Sequence, residues 1–365
     1  MKVPFNYLPF QFKDHAPYFK EWKKLIKSCE FTLGPFVKKF EKSFANYVGS
    51  KYCYSTNNGT DALILSLKAI GIKNGDEVIT VCNSFYATTG AIVACGAKPI
   101  FVDCDERYQI NVSQIDSVVT KKTKAILPVH WGGASPDMNI IMKIAKKYKI
   151  KVVEDACMGI GGKINNKSPG TFGDISAYSM HPLKSLNVMG DGGIVTTNNP
   201  KIAKWIEKYR NHGMINRDQI SIWGVNMRMQ PFQSIVAEIE LKKVNKIVSK
   251  RNRNAKFLDK ELSNINFVKV PKRIQKFKET FALYMARFDK RDQLKKFLIK
   301  NGIEVKVHYP IPLHLQVASK KLGYKIHDFP ESESQAKDLL TLPVHQYLSK
   351  KQLKYMVDKI KLFYK

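Results

Sequence analysis

The sequence predicts an α/β protein: a large domain with a mostly parallel sheet flanked by helices, followed by a smaller C-terminal α+β domain. Three observations carry this expectation. Short runs rich in Val and Ile alternate with helical patterns through the first two-thirds of the chain, as buried parallel strands joined by crossover helices do. The alternation stops near Pro231, where a long amphipathic pattern begins. The chain is 365 residues long and 44% hydrophobic, enough to bury more than one core.

In order along the chain, residues 1–30 hold Phe, Tyr, Trp and Pro without periodicity and are expected to drape over other surfaces. Residues 53–56 read as a strand that runs through a glycine turn into a helix over 60–70. Further strands are expected at 77–82, 98–102, 124–129 and 151–154, with a helix at 139–148. A strand at 174–179 follows, then one at 194–197, opened by Gly192-Gly193 and stopped by Asn198-Asn199-Pro200. A helix is expected from Pro231 to Val248, with proline in its first turn, and helical character continues over 250–261. The remainder gives a strand near 281–288, a helix near 291–301, a proline-rich loop at 308–315 and helices near 331–340 and 349–363. The expected organisation is an N-terminal segment 1–30, a large domain 31–248 and a small domain 249–365.

Composition excludes several classes. Ordinary aromatic (11%) and charged (25%) contents rule out a disordered chain. No apolar stretch approaches the ~18 residues of a membrane helix, and no apolar run follows Met1-Lys2-Val3-Pro4-Phe5 as in a signal peptide. Six cysteines without CxxC spacing point to reduced thiols in a cytoplasmic protein, with neither a disulfide framework nor a metal site. The formal charge is +30, from 61 Lys and Arg against 31 Asp and Glu, and only nine of the basic residues are Arg. Lysines occur in nearly every segment without a long block, which fits solvated helix faces better than a nucleic-acid surface.

Four local patterns can carry chemistry. In Ser179-Met180-His181-Pro182-Leu183-Lys184, ahead of Gly190-Asp191-Gly192-Gly193, one lysine sits in a loop at the end of a buried strand. There a partly desolvated amine can have a lowered pKa and form a Schiff base; most lysines, by contrast, are solvated. In Val152-Val153-Glu154-Asp155-Ala156, two acids end an apolar strand, where open α/β sheets bind ligands; an aspartate there can also simply cap the next helix. Asn57-Asn58-Gly59-Thr60-Asp61 opens a helix with amides and a hydroxyl suited to phosphate, and equally describes an ordinary capped helix. Phe85, in Asn83-Ser84-Phe85-Tyr86-Ala87-Thr88, can stack on a planar ring, although a lone aromatic is more often core.

In this order, with Phe31-Thr32-Leu33-Gly34-Pro35, Arg210-Asn211-His212-Gly213, Gly224-Val225-Asn226-Met227-Arg228-Met229, His308-Tyr309-Pro310-Ile311-Pro312-Leu313-His314-Leu315-Gln316 and Leu342-Pro343-Val344-His345, the chain resembles the DegT/DnrJ/EryC1/StrS sugar aminotransferases over nearly its whole length. The resemblance implies the aspartate-aminotransferase fold and the cofactor pyridoxal 5′-phosphate. It implies Lys184 as the Schiff-base lysine, Asp155 on the pyridinium nitrogen and Phe85 on the ring. It assigns Gly59, Thr60, Asp61 and Ser179 to the phosphate, and has Asn226 reach the phosphate in the neighbouring subunit of a homodimer. It places the substrate at His308, Tyr309, His314 and Arg228. The implied reaction aminates a keto-sugar on a nucleoside diphosphate with L-glutamate as donor. The loops look more like those that handle a 3-keto-6-deoxyhexose on dTDP; a 4-keto-sugar aminotransferase or a dehydratase on the same scaffold is the alternative. Two departures stand out: Met158 where the family usually has Gln, and Trp131-Gly132-Gly133 after His130.

Overall fold

The computed structural model describes residues 1–365. Two N-terminal helices, α1 (Leu8–Gln11) and α2 (Ala16–Ser28), precede α3 (Gly34–Val48). Strand and helix then alternate through β1 (Tyr52–Thr56), α4 (Gly59–Ala69), β2 (Glu77–Val81), α5 (Tyr86–Ala94), β3 (Lys98–Val102), β4 (Thr123–Leu127), α6 (Met138–Tyr148) and β5 (Lys151–Asp155). Next come the short β6 (Lys163–Ile164), β7 (Ile175–Ser179), β8 (Gly193–Thr197), α7 (Pro200–Tyr209), α8 (Pro231–Leu241) and α9 (Val244–Leu262). The C-terminal elements are β9 (Val268–Lys269), β10 (Phe277–Lys278), β11 (Tyr284–Phe288), α10 (Arg291–Lys300), α11 (Pro330–Asp338), β12 (Leu339–Leu342) and α12 (Lys350–Phe363).

Seven strands form the main sheet in the order β1-β8-β7-β5-β4-β2-β3. Only β8 runs against its neighbours; all other pairings are parallel. Successive residues of a strand face opposite sides of a sheet, and β5 shows the result: Val153 joins a core with Leu63 and Ile206, whereas Val152 packs with Ile141 and Ile144. With both faces covered by helices, the strands are apolar throughout. A separate core gathers Leu258, Phe288, Leu298, Leu340 and Ile360 around the sheet β12-β11-β9, and Val3 joins it from the other end of the chain. No helix is long and apolar enough to cross a membrane.

The structure departs from expectation in three places. Residues 16–28 form a helix, α2, despite their weak pattern; it has a proline in its first turn and ends at Cys29 in the left-handed region. The helix expected over 231–248 breaks at Lys242-Lys243, where the Lys243 N–H bonds the Glu240 carbonyl at 2.9 Å. Residues 339–340, expected to end a helix, pair with β11 instead, with Leu340 opposite Ala286; the strand ladder outweighs the helical propensity of the leucines.

Candidate active site

Parallel strands put their C-terminal ends on one edge of the sheet, and that edge collects the predicted residues. Asp155 ends β5, Ser179 ends β7, and Phe85 follows β2. Because β8 is antiparallel, Gly193 at its start lies beside both Ser179 and Thr56. The segment carrying Lys184 is therefore the tip of a hairpin between β7 and β8.

The turn from β1 into α4 is shaped by its side chains. Asn58 caps the helix, its Oδ1 accepting the Asp61 N–H at 2.8 Å. The Gly59 and Thr60 amides, the first of the helix, are left for a ligand. Asp61 itself is held, its carboxylate accepting from Asn57 Nδ2 at 2.9 Å. A Cβ on Gly59 would lie 2.7 Å from Ser179 Cβ and 3.3 Å from Cys157 Sγ, so only glycine lets the helix start approach the ends of β5 and β7 this closely. Beneath this turn, Arg210 donates to Glu41 at 2.6 Å and to the Ser55 carbonyl at 2.7 Å, a buried ion pair that pins the end of β1.

The two acids at the end of β5 take opposite sides. Glu154 is fully buried and accepts from His130 Nε2 and from the amides of Gly170, Phe172 and Gly173, at 2.6–2.9 Å. Asp155 accepts from Thr88 Oγ1 at 2.7 Å and from the Cys157 N–H at 3.2 Å. Lys184 is half-buried. Burial pulls its amine below the ordinary lysine range, opposed by Cys157 and Asp155. Burial also pushes the Cys157 thiol up, so it stays protonated beside Lys184.

Phe85 is 48% exposed and presents an open ring at the mouth. Tyr86 and Tyr309 stand beside it, with Tyr309 at 5.0 Å from Tyr86 and 6.3 Å from Phe85, and Trp131 backs Tyr309 at 5.7 Å. His308 bonds Thr341 Oγ1 at 2.8 Å. Burial, then Lys306 and Lys184, lower its pKa to about 4, so the ring is neutral at pH 7. Asn226 and Arg228 lie together: Arg228 Nε donates to Asn226 Oδ1 at 3.0 Å and Nη1 to Asn211 Oδ1 at 2.7 Å, while the Asn226 carbonyl accepts from Asn57 at 3.2 Å. The Asn226 segment thus touches the β1–α4 turn of its own chain.

One expected residue is misplaced. His314 is 2% exposed, its Nδ1 accepting from the Cys82 thiol at 2.9 Å and its Nε2 donating to Glu333 at 3.1 Å. Burial pushes that thiol up to about 12, which keeps it a donor. With both ring nitrogens engaged, His314 has none to offer a substrate, and it ties its loop to β2 and α11. Met158 packs against the core around Val152 and Trp131, and its carbonyl accepts from Thr280 Oγ1 at 2.7 Å. Sequence reasoning missed Thr88, although it lies three residues after Phe85 in a motif already singled out. It also missed Tyr7, whose hydroxyl bonds the Lys184 carbonyl.

The arrangement fits pyridoxal 5′-phosphate. Gly59 makes a close backbone approach with two free amides for an anion, the Phe85 ring is open for stacking, and an amine of lowered pKa faces a carboxylate that still has unused lone pairs. Fold and site together define an α/β enzyme of the aminotransferase class. A sequence profile of the DegT/DnrJ/EryC1/StrS aminotransferase family matches residues 14–361, and the chain belongs to that family. A relative from Geobacillus stearothermophilus, named a pleiotropic regulatory protein, is 37% identical over all of this chain and 99% of its own. A dTDP-3-amino-3,6-dideoxy-alpha-D-galactopyranose transaminase from Aneurinibacillus thermoaerophilus is 33% identical over 92% of each chain. Among solved structures, S. venezuelae DesV, in complex with a ketimine intermediate, superposes with a TM-score of 0.97 at 29% identity, covering 100% of this chain and 99% of that one.

Proposed function

We propose that this protein aminates a keto-sugar carried on a nucleoside diphosphate, a 3-keto-6-deoxyhexose on dTDP, with L-glutamate as donor and pyridoxal 5′-phosphate as cofactor, for amino-sugar assembly. The observation that carries this reading is the convergence at one sheet edge of Asp155, Ser179 and the Gly59 helix start with the hairpin that carries Lys184, whose amine burial pulls below the ordinary lysine range. The 3-amino product named for the Aneurinibacillus relative supports the position of the keto group and the nucleotide.

When bound, the cofactor supplies an aldehyde for the incoming amine and a pyridinium ring that takes up the electron pair released at the donor's α-carbon. The protein's residues do the rest. Gly59 and Thr60 offer amides, and Ser179 a hydroxyl, to the phosphate, with Asp61 held at the same helix start. Phe85 covers one face of the ring. Asp155, oriented by Thr88, keeps a proton on the ring nitrogen, since a carboxylate favours the charged form. Lys184 would hold the cofactor's aldehyde carbon in the resting enzyme, give way to the donor amine, and then serve as the base that carries the proton between the two carbon positions. His308, Tyr309 and Arg228 line the sugar's approach.

Asn226 is assigned to the partner's cofactor in a homodimer with shared sites. In support, Trp223 on the same segment is 89% exposed and Ile215 and Ile220 are also open, an apolar tip suited to a second copy. Six unpaired cysteines support a reducing, cytoplasmic setting. The deciding experiment incubates the purified protein with glutamate and a panel of 3-keto and 4-keto nucleotide-sugars and reads products by mass. A 3-amino product is expected. Amination of a 4-keto sugar alone, or loss of water without nitrogen gain, would replace this reading.

A further inference from the structure

The N-terminal segment reaches the Lys184 loop through a chain of buried bonds. Val3 pairs with Ile303: its N–H bonds the Gly302 carbonyl at 2.9 Å, and its carbonyl takes the Glu304 N–H at 3.0 Å. Gln352 Nε2 donates to the Lys2 carbonyl and His345 Nε2 to the Pro4 carbonyl, both at 3.0 Å. Residues 2–4 are thus stitched to the C-terminal core.

Tyr7 then turns inward. It is 3% exposed, and its ring lies 5.3 Å from His345 and 6.2 Å from Tyr347. Its hydroxyl donates to the Lys184 carbonyl at 2.9 Å and accepts from Arg251 Nη2 at 2.8 Å. Arg251, on α9, is itself buried and donates from Nε to Gln346 Oε1 at 3.0 Å and from Nη1 to the Phe281 carbonyl at 3.4 Å. A second arm runs parallel. Asn187 Nδ2 donates to the same Lys184 carbonyl at 3.3 Å and to Gln11 Oε1 at 3.1 Å, and Gln11 Nε2 donates to Glu240 at 2.6 Å.

The loop needs such support. Leu183, immediately before Lys184, sits at φ +74°, a region unfavourable to a residue with a Cβ that persists only when its surroundings hold it. Inside the loop the Lys184 main chain has two ties, from its N–H to the His181 carbonyl at 3.1 Å and from Asn187 Nδ2 to its own carbonyl at 3.3 Å. We propose that Tyr7 is a positioning residue for the transamination: its hydroxyl fixes the Lys184 main chain to α9 and the C-terminal core, and so sets the direction in which the amine enters the site. This rests on Lys184 carrying the chemistry. The partners that face the amine, Cys157, Asp155 and His308, belong to β5 and its following turn and to the 308 loop, none of them held by Tyr7.

Tyr7→Phe keeps the ring against His345 and Tyr347 and deletes the hydroxyl. Two readouts are expected to move. In the holoenzyme, kcat falls about tenfold, the rate equivalent of one ordinary hydrogen bond, with KM within about twofold. In the apo-protein, trace acetylation of lysines across pH, read at the peptide bearing Lys184, shows its titration midpoint moving up toward the ordinary lysine range, because a loosened loop lets the amine reach water. A lower melting temperature with both readouts unchanged would make Tyr7 merely structural and overturn the proposal. Borohydride trapping of the wild-type cofactor on a different lysine would instead sink the role of Lys184, and the apo-protein titration would still report whether Tyr7 holds that residue. Should Tyr7→Phe fail to fold, Gln11→Met, which cuts the second arm, goes through the same readouts. A fall in kcat and a rise in midpoint are expected again, and unchanged values overturn the inference.

Discussion

Glu154 and Asp155 are neighbours on one strand, both buried, and they live in opposite ways. On its side of the sheet Glu154 accepts four hydrogen bonds, three from backbone amides and one from His130. Asp155 accepts two, from Thr88 and the Cys157 amide, and looks toward an amine. A carboxylate whose lone pairs are all taken is a fixture of the fold; one with lone pairs to spare beside a displaceable cation can do chemistry. Saturation, rather than burial, separates structure from function along β5.

The largest test empties the open side. Lys184→Ala is expected to cut turnover by roughly four orders of magnitude while leaving the urea midpoint equal or higher, since it relieves the burial of an amine. A coincident collapse of stability would mean that Lys184 belongs to the sealed kind after all. The next test crosses the two acids. Asp155→Asn should lower kcat/KM about 10³-fold with the fold intact, because the amide no longer favours a protonated ring nitrogen. Glu154→Gln should do the reverse, costing about 3 kcal/mol in unfolding free energy by setting an NH2 against amide donors, with near-normal turnover per folded molecule. Similar effects from both substitutions would erase the distinction.

Histidine extends the comparison to pH. His345, at the N-terminal strap, is held neutral with its pKa lowered to about 4, first by burial. A group depressed from an ordinary value of about 6.5 contributes stability that is present above that value and is lost as pH falls through 4. Urea unfolding from pH 7 to 4 should therefore lose about 3 kcal/mol on this account, and His345→Asn should flatten that slope; an unchanged slope would relieve His345 of the role. The smallest expected effect is Thr88→Val, which removes one of two donors to Asp155 and should lower kcat about threefold to tenfold without moving KM. A change in KM alone would place Thr88 on the substrate rather than on Asp155.

Much of this was legible in the sequence because it depends on short-range pattern. The apolar runs of β2 to β5 announce buried strands. Asp155 ends a parallel strand and Gly59 opens the helix just after one strand ends, the edge where such a sheet presents its ligand residues. What escaped depends on partners distant in the chain. Nothing near Tyr7 reveals a bond to Lys184, 177 residues away. Nothing near His314 reveals that Cys82 and Glu333 consume both of its nitrogens. Helix α2 escaped because its apolar residues divide between a buried pair, Tyr18 and Leu25, and an exposed pair, Phe19 and Ile26, and β12 because four leucine-rich residues suit either a helix or a ladder.

The antiparallel strand β8 has a consequence for how the chain comes together. It sits between β1 and β7, pairing Tyr52 with Thr197 and Ser179 with Gly193, so β1 has no neighbour in the sheet until some 140 later residues have been made. Until then the turn into α4 has the ends of β5 and β7 beside Gly59 but lacks Gly193, which packs against the Asn58 carbonyl. Such distant pairings form late, because the closure entropy of the long intervening chain must be met first. On that ground the pocket at Gly59 should be completed late in folding, when β8 enters between β1 and β7. A free chain truncated just before Gly193 should carry five parallel strands in register, a loose β1, and a much weakened affinity for the cofactor.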